Sequence, residues 1–312
     1  MHKKIDLQAR HNWRESRSRM EIMLGKDRRR SSVVGEIPRK SKLILKTLNV
    51  LLRLSGLYEI GERNARAFRI REVEFAFPNL PPAFDGYTIL HLTDLHVGLP
   101  AGLFDDAMPR LSALSPDLVV LTGDYQTSGM PTADITAGEV SRLISAFDTV
   151  DGSLAILGNH DRSDMVEALE HQGIRVLINE SVEISRGDDR LRIVGIDDVH
   201  AFYTSDASAS LDEHSGGFRI ALVHSVDLAG QAAANGYDLY LSGHSHGGQV
   251  CLPGGKPIMT GLDTHRHLAA GRWRLQDMQG YTNRGLGAQF PPVRFNCPGE
   301  AVMIRLTREI SD

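Results

Sequence analysis

Cysteine is scarce in this chain, whose 312 residues include only Cys251 and Cys297. Disulfides are therefore not expected to stabilise the fold, and thiolates are not expected to hold a metal ion. Residues 1–40 also lack the apolar core that a secretory signal requires, which predicts a cytoplasmic protein.

Charge is unevenly distributed behind a net charge of −4. Residues 1–46 contain 14 Lys and Arg against 5 Asp and Glu, whereas the remainder contains 21 against 34. Because nucleic-acid binding needs a basic face, the acidic body is not expected to bind nucleic acid. The remainder of the chain is rich in Asp and His, which suits metal binding better. The basic N-terminal segment, residues 1–46 (the basic lead), suits binding to an anionic surface.

The lead itself is predicted to be a mobile or loosely helical tail over residues 1–40, since it is polar and Arg-rich without periodicity. Within it, Arg28-Arg29-Arg30 resembles a twin-arginine export signal. The apolar stretch that follows, however, starts a dozen residues later and contains Lys46 and Arg53. The sequence leaves open whether the chain is exported by an atypical route.

An amphipathic helix is predicted over residues 42–57. Lys46, Asn49 and Arg53 line its polar face, and apolar residues recur at helical spacing opposite them: Ile44, Leu45, Leu48, Leu51 and Leu52. The segment is too short and too charged to span a bilayer. It suits a helix lying in the interface of an anionic membrane, which would place the protein at the inner face of that membrane. It equally suits a helix packed on the rest of the protein or in a dimer contact, and the sequence does not indicate an oligomeric state.

From residue 67 the pattern changes to that of an α/β domain, so we divide the chain into an extension (1–66) and a main domain (67–312). Short apolar runs, typical of buried strands, alternate with helical segments at 107–114, 137–147 and 164–172. The predicted strands are 68–77, 88–92, 118–122, 154–157, 192–196, 220–223 and 238–241. Polar residues just past the strand ends predict a site at the carboxyl edge of a sheet.

Metal-ligand side chains cluster after these runs. They are Asp94-Leu-His96, Gly123-Asp124, Gly158-Asn159-His160-Asp161, His224 and Gly243-His244-Ser-His246. Side chains two apart in an extended segment point the same way, so Asp94 and His96 can both reach one ion, and His244 and His246 form a second i, i+2 pair. Burying so many polar groups without a cation would be costly. Oxygen and nitrogen ligands without thiolates favour Mn, Fe, Zn or Co.

In this order, the motifs resemble those of the calcineurin-like metallophosphoesterases. The resemblance covers about residues 85–250, and Tyr281–Gly287 and Asn296–Pro298 resemble the closing segments of the bacterial subgroup with a Gly-His-x-His-Gly-Gly-Gln motif. Here Ser245 stands where Thr is usual, and both imidazoles are kept.

The resemblance implies a four-layer α/β/β/α sandwich that holds two divalent metal ions, and in this chain the N-terminal amphipathic helical extension precedes it. It assigns Asp94, His96 and His246 to one ion and Asn159, His224 and His244 to the other. Asp124 would bridge the ions. His160 would act as an acid or stabilise the transition state, oriented by Asp161.

The expected function is hydrolysis of a phosphoester or pyrophosphate by a hydroxide that bridges the two metals. The basic amphipathic lead favours a substrate at a membrane surface, and for such a substrate the family resemblance suggests UDP-diacylglucosamine or a phospholipid. The alternatives are a soluble phosphodiesterase or phosphatase acting on nucleotides, and a catalytically silent scaffold on the same fold. Arg162, Asn283 and Arg284 are the candidate substrate contacts, and Asp197 and Asp198 are expected to be structural.

Overall fold

The computed structural model describes residues 6–24, 39–127, 132–212, 216–262 and 264–309. The part of the predicted tail that includes Arg28-Arg29-Arg30 lies outside these residues.

Two six-stranded sheets form the centre of the described structure. In chain order, the strands are β1 (Arg69–Phe77), β2 (Thr88–Leu92), β3 (Leu118–Leu121), β4 (Ser153–Ala155), β5 (Arg175–Val176), β6 (Glu180–Arg186), β7 (Asp189–Gly195), β8 (Phe218–Leu222), β9 (Leu239–Ser242), β10 (Gly271–Leu275), β11 (Met278–Thr282) and β12 (Glu300–Arg308). The first sheet has the order β1-β12-β2-β3-β4-β5, and the second has the order β10-β11-β9-β8-β7-β6. Strands β2, β3 and β4 are parallel, as are β7, β8 and β9, so their carboxyl ends share an edge.

The helices are α1 (Leu7–Met23), α2 (Arg39–Leu54), α3 (Leu57–Arg66), α4 (Leu103–Leu111), α5 (Ala133–Ile144), α6 (Met165–His171), α7 (Ser205–Leu211) and α8 (Ala229–Ala234). They complete a four-layer α/β/β/α sandwich, because each sheet buries both faces. Leu90 of β2 points to the layer of α4, α5 and α6, whereas its neighbour Ile89 points to the second sheet. The outer face of the second sheet packs against α7 and α8.

The extension differs from its prediction in one respect. Residues 7–23, predicted to be mobile or loosely helical, form a regular helix with Arg17 and Glu21 buried against the main domain. The sequence did not predict this docked helix because its buried face is polar and therefore shows no apolar periodicity.

The predicted amphipathic helix over 42–57 is present as α2 and the start of α3. Gly56 separates the two helices by adopting a left-handed conformation with φ of 72°. Among the described residues, no helix is both long and apolar enough to cross a membrane. The division of the chain at residue 66 stays a prediction.

Candidate metal centre

The first group of ligand-type side chains comes from the ends of β2 and β9. Asp94, His96 and His246 are buried and offer ligand atoms that all lie within 4.8 Å of one another. His246 Nε2 is 3.3 Å from Asp94 Oδ1 and 3.1 Å from His96 Nε2. Two imidazoles and a carboxylate at these distances can hold one ion.

The second group comes from the ends of β3, β8 and β9. Asp124, His224 and His244 are buried and also lie within 4.8 Å by their ligand atoms. Asn159, after β4, joins them: its Oδ1 is 2.8 Å from His244 Nδ1 and 3.1 Å from His224 Nε2.

Asp124 lies between the two groups. Its Oδ2 is 3.3 Å from His224 Nε2, 3.8 Å from His96 Nε2 and 4.0 Å from His160 Nε2. One carboxylate oxygen thus faces residues of both groups.

The backbone at these positions is unusual. Five of the seven predicted ligands adopt positive φ, a region that non-glycine residues rarely occupy: Asp94 (50°), His96 (38°), Asp124 (57°), His244 (69°) and His246 (50°). Residues held in such conformations cluster at functional sites, since the surrounding structure must over-determine them.

Two glycines make room for the ligands. A Cβ atom on Gly243 would lie 2.4 Å from Asp94 Oδ2, and one on Gly158 would lie 2.2 Å from Asp124 Oδ1. Both distances are closer than atoms can approach, so glycine lets the two carboxylates pack against neighbouring backbone.

Buried charges perturb one another strongly in this cluster. Burial lowers the pKa of His224, but the carboxylate of Asp124 outweighs that effect and raises the pKa to about 10. Burial and the adjacent His224 lower the pKa of His244 to about 4. Burial raises the pKa of Asp94 against the opposing charge of His224, and Asp124 raises it further. Strongly perturbed pKa values of this kind cluster at functional sites, which agrees with the convergence of the ligand-type side chains.

A metal ion fits an observation inside the cluster. Three buried atoms of the two ligand groups have no hydrogen-bond partner among the described residues: Asp94 Oδ1, Asp124 Oδ2 and His244 Nε2. Each belongs to one of the two ligand groups, and buried polar atoms are normally satisfied. Cations coordinated by these oxygen and nitrogen atoms would compensate them.

His160 lies at the rim of the cluster. Its ring is edge-on to that of His96, with centroids 5.0 Å apart, and its side chain is 17% exposed. The side-chain amide of Gln289 lies 3.1 Å from His160 Nε2. Gln289 was not among the predicted site residues, because no motif surrounds it.

Asp161, predicted to orient the His160 ring, forms hydrogen bonds to the backbone of two loops. Its fully buried carboxylate accepts hydrogen bonds from the backbone N–H groups of Gly158, Asp124, Tyr125 and Gln126. Burial and the charge of Asp124 raise its pKa. Asp161 therefore joins the loops after β3 and β4, and its role in orienting His160 stays a prediction.

The candidate substrate contacts have other partners. Asn283 is fully buried; its Nδ2 donates to His91 O, and its Oδ1 accepts from Gly285 N. The predicted place of Asn283 in the cleft stays a prediction. Arg284 pairs with Glu300 at 2.8 Å, and Arg162 pairs with Asp164 at 3.3 Å. Both arginines keep a partly exposed side chain, and their contact with substrate stays a prediction.

Two further side chains lie beside the predicted ligands, and the sequence did not predict their presence there. Arg294 is fully buried and donates to the backbone oxygens of Gly287 and His246. The ring of His200 lies 4.3 Å from that of His244 by centroids, and His200 Nδ1 is 3.3 Å from Asp227 Oδ2. Neither residue belongs to a metal-ligand motif in the sequence, so only the fold shows that they lie beside the cluster.

Comparisons with known proteins agree with this geometry. The profile of the calcineurin-like phosphoesterases matches residues 87–248. Phosphodiesterase YaeI of Escherichia coli is 30% identical over 230 residues, which cover 70% of this chain and 82% of YaeI. The uncharacterised metallophosphoesterase YkoQ of Bacillus subtilis is 28% identical over 257 residues, covering 78% of this chain and 92% of YkoQ. The chain therefore belongs to the calcineurin-like phosphoesterases, hydrolases of phosphoester bonds.

Proposed function

We propose that this phosphoesterase is a phosphodiesterase that works with two divalent metal ions. The observation that carries the proposal is the pair of ligand groups, both approached by Asp124 Oδ2, which contain three buried atoms without a hydrogen-bond partner. Asp94, His96 and His246 would hold one ion, and Asn159, His224 and His244 would hold the other. When bound, two such ions polarise the phosphoryl group and make a water molecule nucleophilic near neutral pH.

His160 is proposed to donate a proton to the leaving oxygen. Its ring lies beside both ligand groups, and it is exposed enough to meet a substrate. Gln289, 3.1 Å from Nε2, would hold the ring at the rim. A positioned acid of this kind contributes about 10²–10⁴ in rate.

Hydrolysis of bis-p-nitrophenyl phosphate with added Mn²⁺ tests this proposal. We expect His160→Ala to lower kcat by about 10²–10⁴ while Mn²⁺ binding is kept. His171→Ala is the matched control, because His171 ends α6 at an exposed position. Absence of turnover with any divalent metal and any phosphoester would refute the proposal.

Metal binding should also depend on pH. The raised pKa of His224 means that its imidazole is protonated at neutral pH, so an ion must displace that proton. The Mn²⁺ affinity of the second site should therefore increase from pH 6 to pH 9, by up to about tenfold per pH unit. Calorimetric titration in buffers of different ionisation enthalpy measures the released proton, and a pH-independent affinity would contradict this assignment.

For the substrate, we propose a lipid-linked phosphoester or pyrophosphate at an anionic membrane surface. Apolar side chains of α2 and α3 are exposed on the described structure: Leu48, Val50, Leu51, Leu54, Leu57 and Ile60. The sequence before them is basic, which suits anionic lipid.

The attachment of these helices supports the same proposal. Gly61 O of α3 accepts from Arg294 N at 2.9 Å, and Asn64 Nδ2 donates to Arg294 O at 3.1 Å. The loop that contains Arg294 also contains Gln289, beside His160, and Phe290, which is 48% exposed. An apolar surface would thus adjoin the loop that reaches the proposed acid.

A liposome test separates this proposal from its alternatives, a soluble nucleotide substrate or an α2 face covered by protein. We expect the protein to sediment with anionic liposomes, and Leu51→Glu/Leu54→Glu to abolish sedimentation but keep hydrolysis of the soluble ester. Val150→Glu is the matched control, since Val150 is also exposed but precedes β4, at the other end of the sheet from the site. Failure of the unaltered protein to sediment would contradict the membrane proposal and leave the metal proposal intact.

A further inference from the structure

The loop after β4, residues 158–163, contains two side chains whose positions the proposed chemistry requires to be fixed accurately. Asn159 belongs to the second ligand group, and His160 is the proposed acid. The loop contains no helix or strand, so other parts of the protein must fix its backbone. Asp161 does so from within, through its four backbone N–H partners.

A second set of contacts reaches this loop from α1. Arg17 is fully buried, and its Nη2 donates to Gly158 O at 3.1 Å and to Asp161 O at 2.9 Å. These two carbonyls stand immediately before and after Asn159 and His160. One guanidinium group therefore holds both ends of the turn that presents the ligand and the acid.

The guanidinium is itself held rigidly. Its Nη1 forms a buried ion pair with Asp197, which follows β7 of the second sheet. The guanidinium carbon lies 3.6 Å from the centroid of the Phe202 ring. One helical turn later, Glu21 accepts a hydrogen bond from Ser163 N at 2.6 Å. A planar fork with several donors suits this arrangement, whereas a lysine would supply only a point charge.

We propose that Arg17 is a positioning residue for Asn159 and His160, so that α1 is part of the construction of the active site. The inference rests on the proposed function, because it assumes that Asn159 holds metal and that His160 acts on substrate. Arg17 forms its hydrogen bonds to this loop with the backbone carbonyls of Gly158 and Asp161. It acts through the backbone carbonyls that flank the two residues.

Arg17→Lys in the full-length protein tests the proposal, because lysine keeps the charge opposite Asp197 and loses the fork. Arg14→Ala is the matched control: Arg14 lies on the same helix, in an exposed ion pair with Glu167. For each protein, we would measure the melting temperature, the two Mn²⁺ affinities, and kcat and KM for bis-p-nitrophenyl phosphate at saturating Mn²⁺. The second site is identified as the one that His244→Ala abolishes.

We expect Arg17→Lys to melt close to Arg14→Ala, to lower kcat by about 10–100-fold and to leave KM within about twofold. Its Mn²⁺ affinity should fall about tenfold at the second site and remain unchanged at the first. Unchanged kcat and affinities in a folded Arg17→Lys protein would overturn the proposal. Equal losses at both sites, in step with lowered melting temperature, would also overturn it, because they would show a structural role alone.

If Arg17→Lys does not fold, Arg17→Met/Asp197→Asn provides the second test, since it removes the donors without leaving a buried charge. It should show the same selective losses. Its failure to fold would overturn the proposal by showing that α1 is required for folding. Absence of Mn²⁺ binding and hydrolysis in the unaltered protein would instead refute the proposed function, so the two failures are distinguishable.

Discussion

Helices α1 and α2 both precede residue 67, but each lies in an environment that its composition does not predict. The polar helix α1 is docked, with Arg17 and Glu21 buried, whereas the more apolar α2 exposes Val50, Leu51 and Leu54. Docking of α1 follows from charge: its basic side chains meet carboxylates of the acidic main domain. The apolar face of α2 meets no comparable surface among the described residues. Composition alone therefore does not decide which segment belongs to the folded body.

Removal of Arg17 should have the largest effect on stability. Arg17→Met leaves Asp197 buried without its cation, so we expect the free energy of unfolding to fall by about 3–5 kcal/mol. Urea denaturation measures it. If Arg17→Met loses less than about 1 kcal/mol, α1 is not held by buried charge, and the contrast with α2 is lost.

Removal of Glu21 should have an intermediate effect. Glu21→Ala leaves the buried N–H of Ser163 without its acceptor, which we expect to cost about 1–3 kcal/mol. Glu21→Gln keeps an acceptor and should cost less. Equal losses for the two variants, measured in the same denaturation series, would show that the hydrogen bond to Ser163 is not what docks the end of α1.

Removal of Arg14 should have a small effect. Its 2.5 Å ion pair with Glu167 is solvent-exposed on both sides, and such pairs contribute about 0–1 kcal/mol. A thermal melt of Arg14→Ala beside Arg17→Met would sharpen the distinction between buried and exposed charge on one helix. A larger loss for Arg14→Ala than for Glu21→Ala would contradict it.

Substitution on α2 should have the smallest effect on stability. Leu51 and Leu54 are 57% and 81% exposed, so Leu51→Glu/Leu54→Glu should change the free energy of unfolding by no more than about 0.5 kcal/mol. A loss of several kcal/mol in denaturation of the isolated protein would show that this face is covered, as in a dimer.

The convergence of the ligand-type side chains was predictable because its signals are local. Asp94 and His96 directly follow β2, whose observed limits are those predicted, and all seven predicted ligands converge in the structure. The docking of α1 was not predictable, since its buried face is polar and Asp197 lies 180 residues further along the chain. The hydrogen-bond partners of Asp161 and Asn283 were not predictable for a related reason: a residue type shows what a side chain can bind, but only the fold shows which partner it meets.

The paired ligand groups are tested most directly by metal stoichiometry. Purified protein titrated with Mn²⁺ should bind two ions per chain. His246→Ala and His244→Ala should each lower that number to one, because each removes a ligand from a different group. Two ions retained in both variants, or none bound by the unaltered protein, would contradict the two-metal account.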